Sequence, residues 1–174
     1  NDLGKFYQKR TGRNIEIKSQ KAQLSDYVAY LEKYSENADY QEAELFWLNQ
    51  FNKEIPLLNF PTDKPKLANN SFGAADASLI FSNDFITDLR NAAKAQNCSF
   101  YSFMFGAFQA FVGRLAQQKE FVLGVAVSGK SIVEFEDLAA HRTNLLPMKI
   151  QLDESASFKD FLQQANRNLL MAFD

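Results

Sequence analysis

The run from Ser99 to Lys130 constrains the fold more than any other part of the chain. It reads Ser-Phe-Tyr-Ser-Phe-Met-Phe-Gly-Ala-Phe-Gln-Ala-Phe-Val-Gly-Arg-Leu and, after a short polar break, Glu-Phe-Val-Leu-Gly-Val-Ala-Val-Ser-Gly-Lys. Phe100, Phe103, Met104, Ala107, Phe111 and Leu115 recur at helical spacing, while Phe105, Phe108 and Val112 extend the apolar surface until no broad polar face remains. The pattern predicts a helix buried inside a core. Gly106, Ala110 and Gly113 share one side, where missing side chains let a backbone approach at a cost of ~1 kcal/mol of helix propensity per glycine. That side is expected to lie against a sheet. Phe121 to Val127 is unbroken apolar sequence, the pattern of a strand covered on both faces, and Ser128-Gly129-Lys130 ends it with turn chemistry.

The flanking sequence supplies further elements. Leu3, Phe6 and Tyr7 predict the end of a helix that stops at Gly12, and Leu24, Tyr27, Val28, Leu31 and Tyr34 predict an amphipathic one. Asp39, with Glu42 three residues on, has the spacing of a capping box for a third helix lined by Tyr40, Ala43, Trp47 and Phe51. Three prolines between Ile55 and Lys66 predict an extended crossover, since proline fixes φ and removes a backbone donor. Ala75, Ala77, Leu79 and Phe81 alternate with Asp76 and Ser78, the pattern of a strand with one buried face. Ser82 to Asp84 starts a helix running to Asn97. Leu146, Met148, Ile150 and Leu152 alternate as a strand whose Pro147 belongs at a start, an edge or a bulge. Ser157 and Asp160 cap a final helix carrying Phe158, Phe161, Leu162, Ala165, Leu169 and Ala172 on one face. The fold class expected is α/β, a two-layer α+β sandwich with helices packed on a mixed sheet.

Composition narrows the function. At 174 residues the chain fits one domain or part of a larger one, and 17 phenylalanines supply much of a core. A net charge of -2 shows no basic excess, so nucleic acid is not the expected partner. Cys98 is the single cysteine and His141 the single histidine, which excludes an internal disulfide, a multi-cysteine zinc site and a histidine cluster. A reducing, cytoplasmic setting is expected, with no membrane partner, because the longest apolar stretch is well short of the ~20 residues that span a bilayer. The N-terminus has neither a signal peptide's apolar region nor a starting methionine, and the chain is expected to be a piece of a longer one.

Catalytic constellations are thin. His141, with Asp137 four residues before it and Cys98 elsewhere, is the only set resembling a nucleophilic triad, and a cysteine between helix-forming segments is usually a packed hydrophobe. Gly124 and Gly129 fit neither the Rossmann nor the P-loop spacing. Glu134, Glu136 and Asp137 alternate with Val133, Phe135 and Leu138 and read as a solvated face. Asn144 has a chemistry of its own, because an amide can fix two backbone segments or bond an amide-bearing ligand.

Four landmarks carry a family resemblance. Leu24-Ser25-Asp26-Tyr27-Val28-Ala29-Tyr30 is similar to a Tyr-x-Asp-Tyr-Ala-x-Trp motif, and Phe60-Pro61-Thr62-Asp63-Lys64-Pro65-Lys66 to Leu-Pro-x-Asp-x-Pro-Arg. Glu120-Phe121-Val122-Leu123-Gly124, then Gly129-Lys130, resembles Asp-Ile-Val-x-Gly followed by Gly-Arg. Ala139 to Lys149 resembles Ile-Gly-x-Phe-Val-Asn-Thr-Leu-Pro-Leu-Arg in its variant with histidine third and Asn-Leu-Leu-Pro following; Ala140 replaces the glycine and Arg142 the aromatic. In order and spacing these resemble the condensation domains of nonribosomal peptide synthetases, in the chloramphenicol-acetyltransferase-like superfamily of CoA-dependent acyltransferases.

The resemblance implies two acetyltransferase-like lobes with a tunnel between them, where phosphopantetheine arms of donor and acceptor carrier proteins bring a thioester to an amine. The signature His-His-x-x-x-Asp-Gly is absent and is expected upstream of Asn1. Residues 1–66 are then expected to be the helical end of the N-terminal lobe and the Pro-rich crossover, and 67–174 an incomplete C-terminal lobe. The chain is expected to supply tunnel wall and carrier-protein surface, with no catalytic residue and no cofactor of its own, to be inactive alone, and to adjoin an adenylation domain and the rest of the N-terminal lobe. Asn144, Ser128, Gly129, Lys130 and His141 are the candidates for tunnel-lining or lobe-bridging positions, with packing as the alternative role. Epimerising, heterocyclising or ester-forming relatives, and a non-catalytic docking domain of the same fold, are the competing readings.

Overall fold

A computed structural model describes residues 2–16, 22–64, 73–128 and 132–173. The elements are α1 (Asp2–Arg10), α2 (Leu24–Tyr34), α3 (Ala38–Gln50), α4 (Asn83–Ala95), α5 (Phe100–Ala116), β1 (Glu120–Val127), a 3-10 turn (Val133–Phe135), β2 (Asn144–Gln151) and α6 (Phe158–Phe173). They form two compact units, one of residues 1–50 with 127–144 and the other of 51–126 with 145–174.

The second unit is built on the pair α5 and α6. Ser99 starts α5 by accepting a hydrogen bond from the Ser102 amide at 2.9 Å, and Ser82 does the same for α4 through the Phe85 amide at 3.3 Å. Ser157 starts α6: its hydroxyl donates to the Asp160 carboxylate at 2.6 Å and accepts from the Asp160 amide at 3.2 Å. Leu162 and Leu169 of α6, Val112 of α5 and Phe121 of β1 are fully enclosed. Arg90 of α4 lies over the Phe100 ring, 4.6 Å from its centroid, tying α4 to the start of α5.

Gly106 faces α6, not a sheet: a Cβ there would stand 2.6 Å from Leu162 Cδ1 and 3.8 Å from Ala165 Cβ. Gly113 does meet the strand pair: a Cβ there would run into Leu152 Cδ1, just past β2, and would stand 3.0 Å from Phe121 Cε1 of β1 and 3.1 Å from the Gln118 carbonyl oxygen. Nor is α5 buried all round. Ser102, Gly106, Gln109, Val112 and Gly113 are buried, whereas Tyr101, Met104, Phe108, Phe111 and Leu115 lie exposed along one face among the described residues. An apolar surround shows that a helix can be buried; the neighbours decide how much of it is.

β1 and β2 are antiparallel. The Leu152 amide donates to the Lys119 carbonyl at 2.7 Å, and the Gln151 side chain donates to Glu120 at 3.3 Å, so the start of one strand meets the end of the other. Phe121 and Val125 are buried while Gly124 and Ala126 are exposed, so β1 is covered on one face and only partly on the other, against the expectation from its composition. Pro147 sits inside β2, which a sheet of two strands permits because each strand has a free edge.

The strand expected at 75–81 does not form: among the described residues no strand pairs with it, and Leu79 and Ile80 are 76 % and 93 % exposed. Alternation makes a strand only where a neighbour takes its hydrogen bonds. The crossover from Phe51 to Lys64 has no regular structure, as its prolines require, and its later part lies outside the described residues. Gln118 holds it, accepting from the Asn59 amide at 2.7 Å and donating to the Leu57 carbonyl at 2.9 Å.

In the first unit α2 and α3 have no buried residue. Phe135 is enclosed all the same, with Tyr27 and Tyr30 of α2 set edge-on to it at centroid distances of 5.2 and 5.5 Å. Asp39 does not cap α3. It lies within the first turn, and the Asn37 carbonyl accepts the first helical bond, from the Gln41 amide at 3.2 Å.

Candidate functional site

Three of the predicted positions, Ser128, His141 and Asn144, fall near one end of the strand pair, and the chain itself explains why. Ser128 follows Val127, the last residue of β1, and Asn144 is the first of β2. The register set by Leu152 and Lys119 places Val127 opposite Asn144, so Ser128 and Asn144 adjoin the same end of the ladder. Both are exposed, as is His141, three residues before β2. Gly129 and Lys130 lie outside the described residues.

The loop between the strands is anchored at its middle. Phe135 and Leu138 are each 6 % exposed, while Glu134, Glu136 and Asp137 point to solvent, the alternation read from the sequence. Anchoring Phe135 on Tyr27 and Tyr30 fixes the segment that leads to His141 and Asn144. The motif around Asp26 and Tyr27 acquires a physical meaning here. Asp26 accepts a hydrogen bond from the Gln23 amide at 2.8 Å, closing the first turn of α2, and Tyr27 presents its ring to Phe135.

Gln118 is an amide that fixes two backbone segments, through its bonds to Leu57 and Asn59 in the crossover. Sequence gave no separate signal for it beyond a glutamine between a helix end and a strand start. Cys98 is a packed side chain, the role read for it from its place between helix-forming segments: it is half-buried, its thiol donates to the Ala93 carbonyl at 3.5 Å, and burial pushes it above the usual thiol range. Among the described residues no group of three or more histidine, cysteine, aspartate or glutamate side chains is placed to hold a metal, and no helix is long and apolar enough to cross a membrane.

An antiparallel strand pair with helices packed against it defines an α/β protein. The chain belongs to the Condensation domain family, whose model matches residues 1–174. Among curated proteins it is 28% identical over 152 residues to tyrocidine synthase 3 of Brevibacillus parabrevis, covering 87% of this chain and 2% of that protein. It thus spans only a small part of the length of such relatives. Among solved structures it is similar to the SgcC5 protein from Streptomyces globisporus, with a TM-score of 0.81, 20% identity and coverage of 99% of this chain and 39% of that one. It is also similar to the EpoB nonribosomal peptide synthetase cyclization-docking bidomain from Sorangium cellulosum, with a TM-score of 0.77, 18% identity and coverage of 99% and 35%. The fold is shared with both.

Proposed function

We propose that this chain is part of a condensation domain that joins an acyl or peptidyl thioester to an amine, each tethered by phosphopantetheine to a carrier-protein domain. The observation that carries the reading is the family match along the whole chain. In this reading residues 1–66 end the N-terminal lobe, 67–174 belong to the C-terminal lobe, and an adenylation domain adjoins them in the same polypeptide.

Aminolysis of a thioester is downhill, and most of the help it needs is holding two tethered reactants in attack geometry; well-oriented partners gain on the order of 7–11 kcal/mol from that alone. A wall of fixed side chains serves this purpose without acting as acid or base. Asn144, Ser128, Gly129, Lys130 and His141 are proposed to line or bridge that tunnel. Asn144 has both donor and acceptor capacity and no charge, which suits the amides of a pantetheine arm.

The test is product formation from two loaded carrier proteins by the intact parent synthetase, followed by mass spectrometry. N144A is expected to lower the rate at least about tenfold, the loss of one well-placed polar contact, while the folded state by circular dichroism is unchanged. The 174-residue chain alone is expected to give no product, and product from it would end the reading of these residues as wall. A second reading, heterocycle formation, is favoured by the likeness to the cyclization bidomain. It predicts a thiazoline- or oxazoline-bearing product, lighter by one water, in the same assay.

A further inference from the structure

The end of the strand pair away from Ser128 and Asn144 carries a cavity of about 470 Å³ between the last turn of α5, the start of α6 and the loop after β2. Its floor is apolar, made by Leu152, Phe158, Phe161 and Ala156. Four charged side chains stand around it, and three are already satisfied. Lys119 and Glu154 pair at 2.7 Å. Asp153 accepts from the Ser155 hydroxyl at 2.6 Å and from its amide at 2.9 Å, which holds its carboxyl below the usual range.

The fourth is Arg114. Its guanidinium is exposed and has no hydrogen-bond or ion-pair partner among the described residues. A cation in the last turn of a helix is favoured by the helix dipole, and that accounts for the charge. It does not account for the apolar hollow beside it.

We propose that this cavity docks a peptide segment of another protein domain that carries a glutamate or aspartate beside a bulky apolar side chain. The carboxylate pairs with Arg114, and the apolar side chain fills the floor over Leu152 and Phe161. Charge favours this occupant: Lys119, Asp153 and Glu154 already have partners, Arg114 is the charge left for an incoming group, and one guanidinium fork matches one carboxylate bidentately. The volume lies within the ~300–1,000 Å³ of ordinary ligand pockets and suits a few side chains.

The test is a two-dimensional amide NMR titration of the labelled chain with acetyl-Phe-Glu-Leu-amide, acetyl-Phe-Gln-Leu-amide and hexanoate. The Glu peptide is expected to shift the Gly113, Gln117 and Lys119 amides saturably, and to weaken with added salt. The Gln peptide should bind about tenfold more weakly, as one charge-assisted bond implies. R114Q should bind both peptides equally weakly and R114K should recover part of the difference; if R114Q loses its folded spectrum, R114K against the Gln peptide decides. Hexanoate as tight as the Glu peptide, R114Q binding like the parent, no saturable shift, or shifts confined to the face of Tyr101, Phe108 and Leu115 would each overturn the proposal. None of these results bears on N144A in the synthetase assay, so the two readings fail separately.

Discussion

Leu162 and Phe135 are both large apolar side chains with almost no exposed surface, 0 % and 6 %, yet they are enclosed in different ways. Leu162 sits between two long helices at the place where Gly106 removes the side chain that would otherwise occupy its space. Phe135 sits in a single 3-10 turn, enclosed by the edges of two tyrosines from a helix with no buried residue of its own. The first is a core built by interlocking elements. The second is a plug that holds a loop, and loops held by one plug are where a protein can place residues at a binding surface without rebuilding its core.

The contrast predicts that L162A is the most damaging change. The cavity it leaves is lined by Gly106 and Ala165, which have no side chains long enough to refill it, so a cost near 4 kcal/mol is expected within the usual ~2–5 kcal/mol. Urea unfolding followed by tryptophan-independent circular dichroism checks it. A loss under about 1 kcal/mol would mean that α5 and α6 are not interlocked at this point.

F135A comes next. Water can enter the space it leaves, so about 2–3 kcal/mol is expected, below the range for a fully enclosed phenylalanine. Hydrogen exchange should speed up across residues 132–138 and α2 while α5 and α6 keep their protection. Equal loosening of α5 and α6 would show that the plug and the core open as one, and the comparison would collapse.

The two glycines of α5 sharpen it further. G113A pushes a Cβ into the end of the Leu152 side chain and toward the Phe121 ring and the Gln118 main-chain carbonyl, so that even with Leu152 moved aside a net loss of about 1–2 kcal/mol is expected despite the better helix propensity of alanine. G106A presses chiefly on the end of the Leu162 side chain, with Ala165 Cβ at ordinary contact distance, and if that end shifts the net effect is expected within about 1 kcal/mol of zero. Thermal unfolding of the pair checks the order. G106A as costly as G113A would mean that Leu162 is locked by its surroundings.

The sequence made the local elements legible because each rests on local causes. Ser82 and Ser157 were legible as helix starts since a hydroxyl three residues before an amide caps it wherever it occurs. What could not be read was set by partners distant in sequence. The alternation at 75–81 looked like a strand but found no strand neighbour among the described residues, and the encircling phenylalanines of α5 looked fully buried but cover only one side. The site was legible as a set of positions, because Ser128 and Asn144 bracket the strands and pairing brings strand ends together. Gln118 was not, since a clamp between residues about sixty apart leaves no periodic trace.

The smallest effect expected is at the far end of the ladder, where Glu120 accepts from the Lys149 ammonium at 2.9 Å and from Gln151 at 3.3 Å. The Lys149 bond, and after it the Gln151 bond, hold its carboxyl below the ordinary value of 4.5. A carboxyl depressed on folding binds fewer protons folded than unfolded, so its contribution is whole above the unfolded value and fades as pH falls through the folded one. E120Q is therefore expected to lower the melting temperature slightly at about pH 7, with the gap to the parent closing as the pH is taken from about 4.5 downward. Lys119, raised by its hydrogen bond to Glu154, acts in the opposite direction: its contribution holds below the ordinary lysine value and is lost only as pH climbs past it, so it leaves the acid limb untouched. A gap that stays constant down to about pH 3 would assign the ladder end to its backbone bond between Leu152 and Lys119, and the side chains there would be solvated ornament on a strand pair already closed by its main chain.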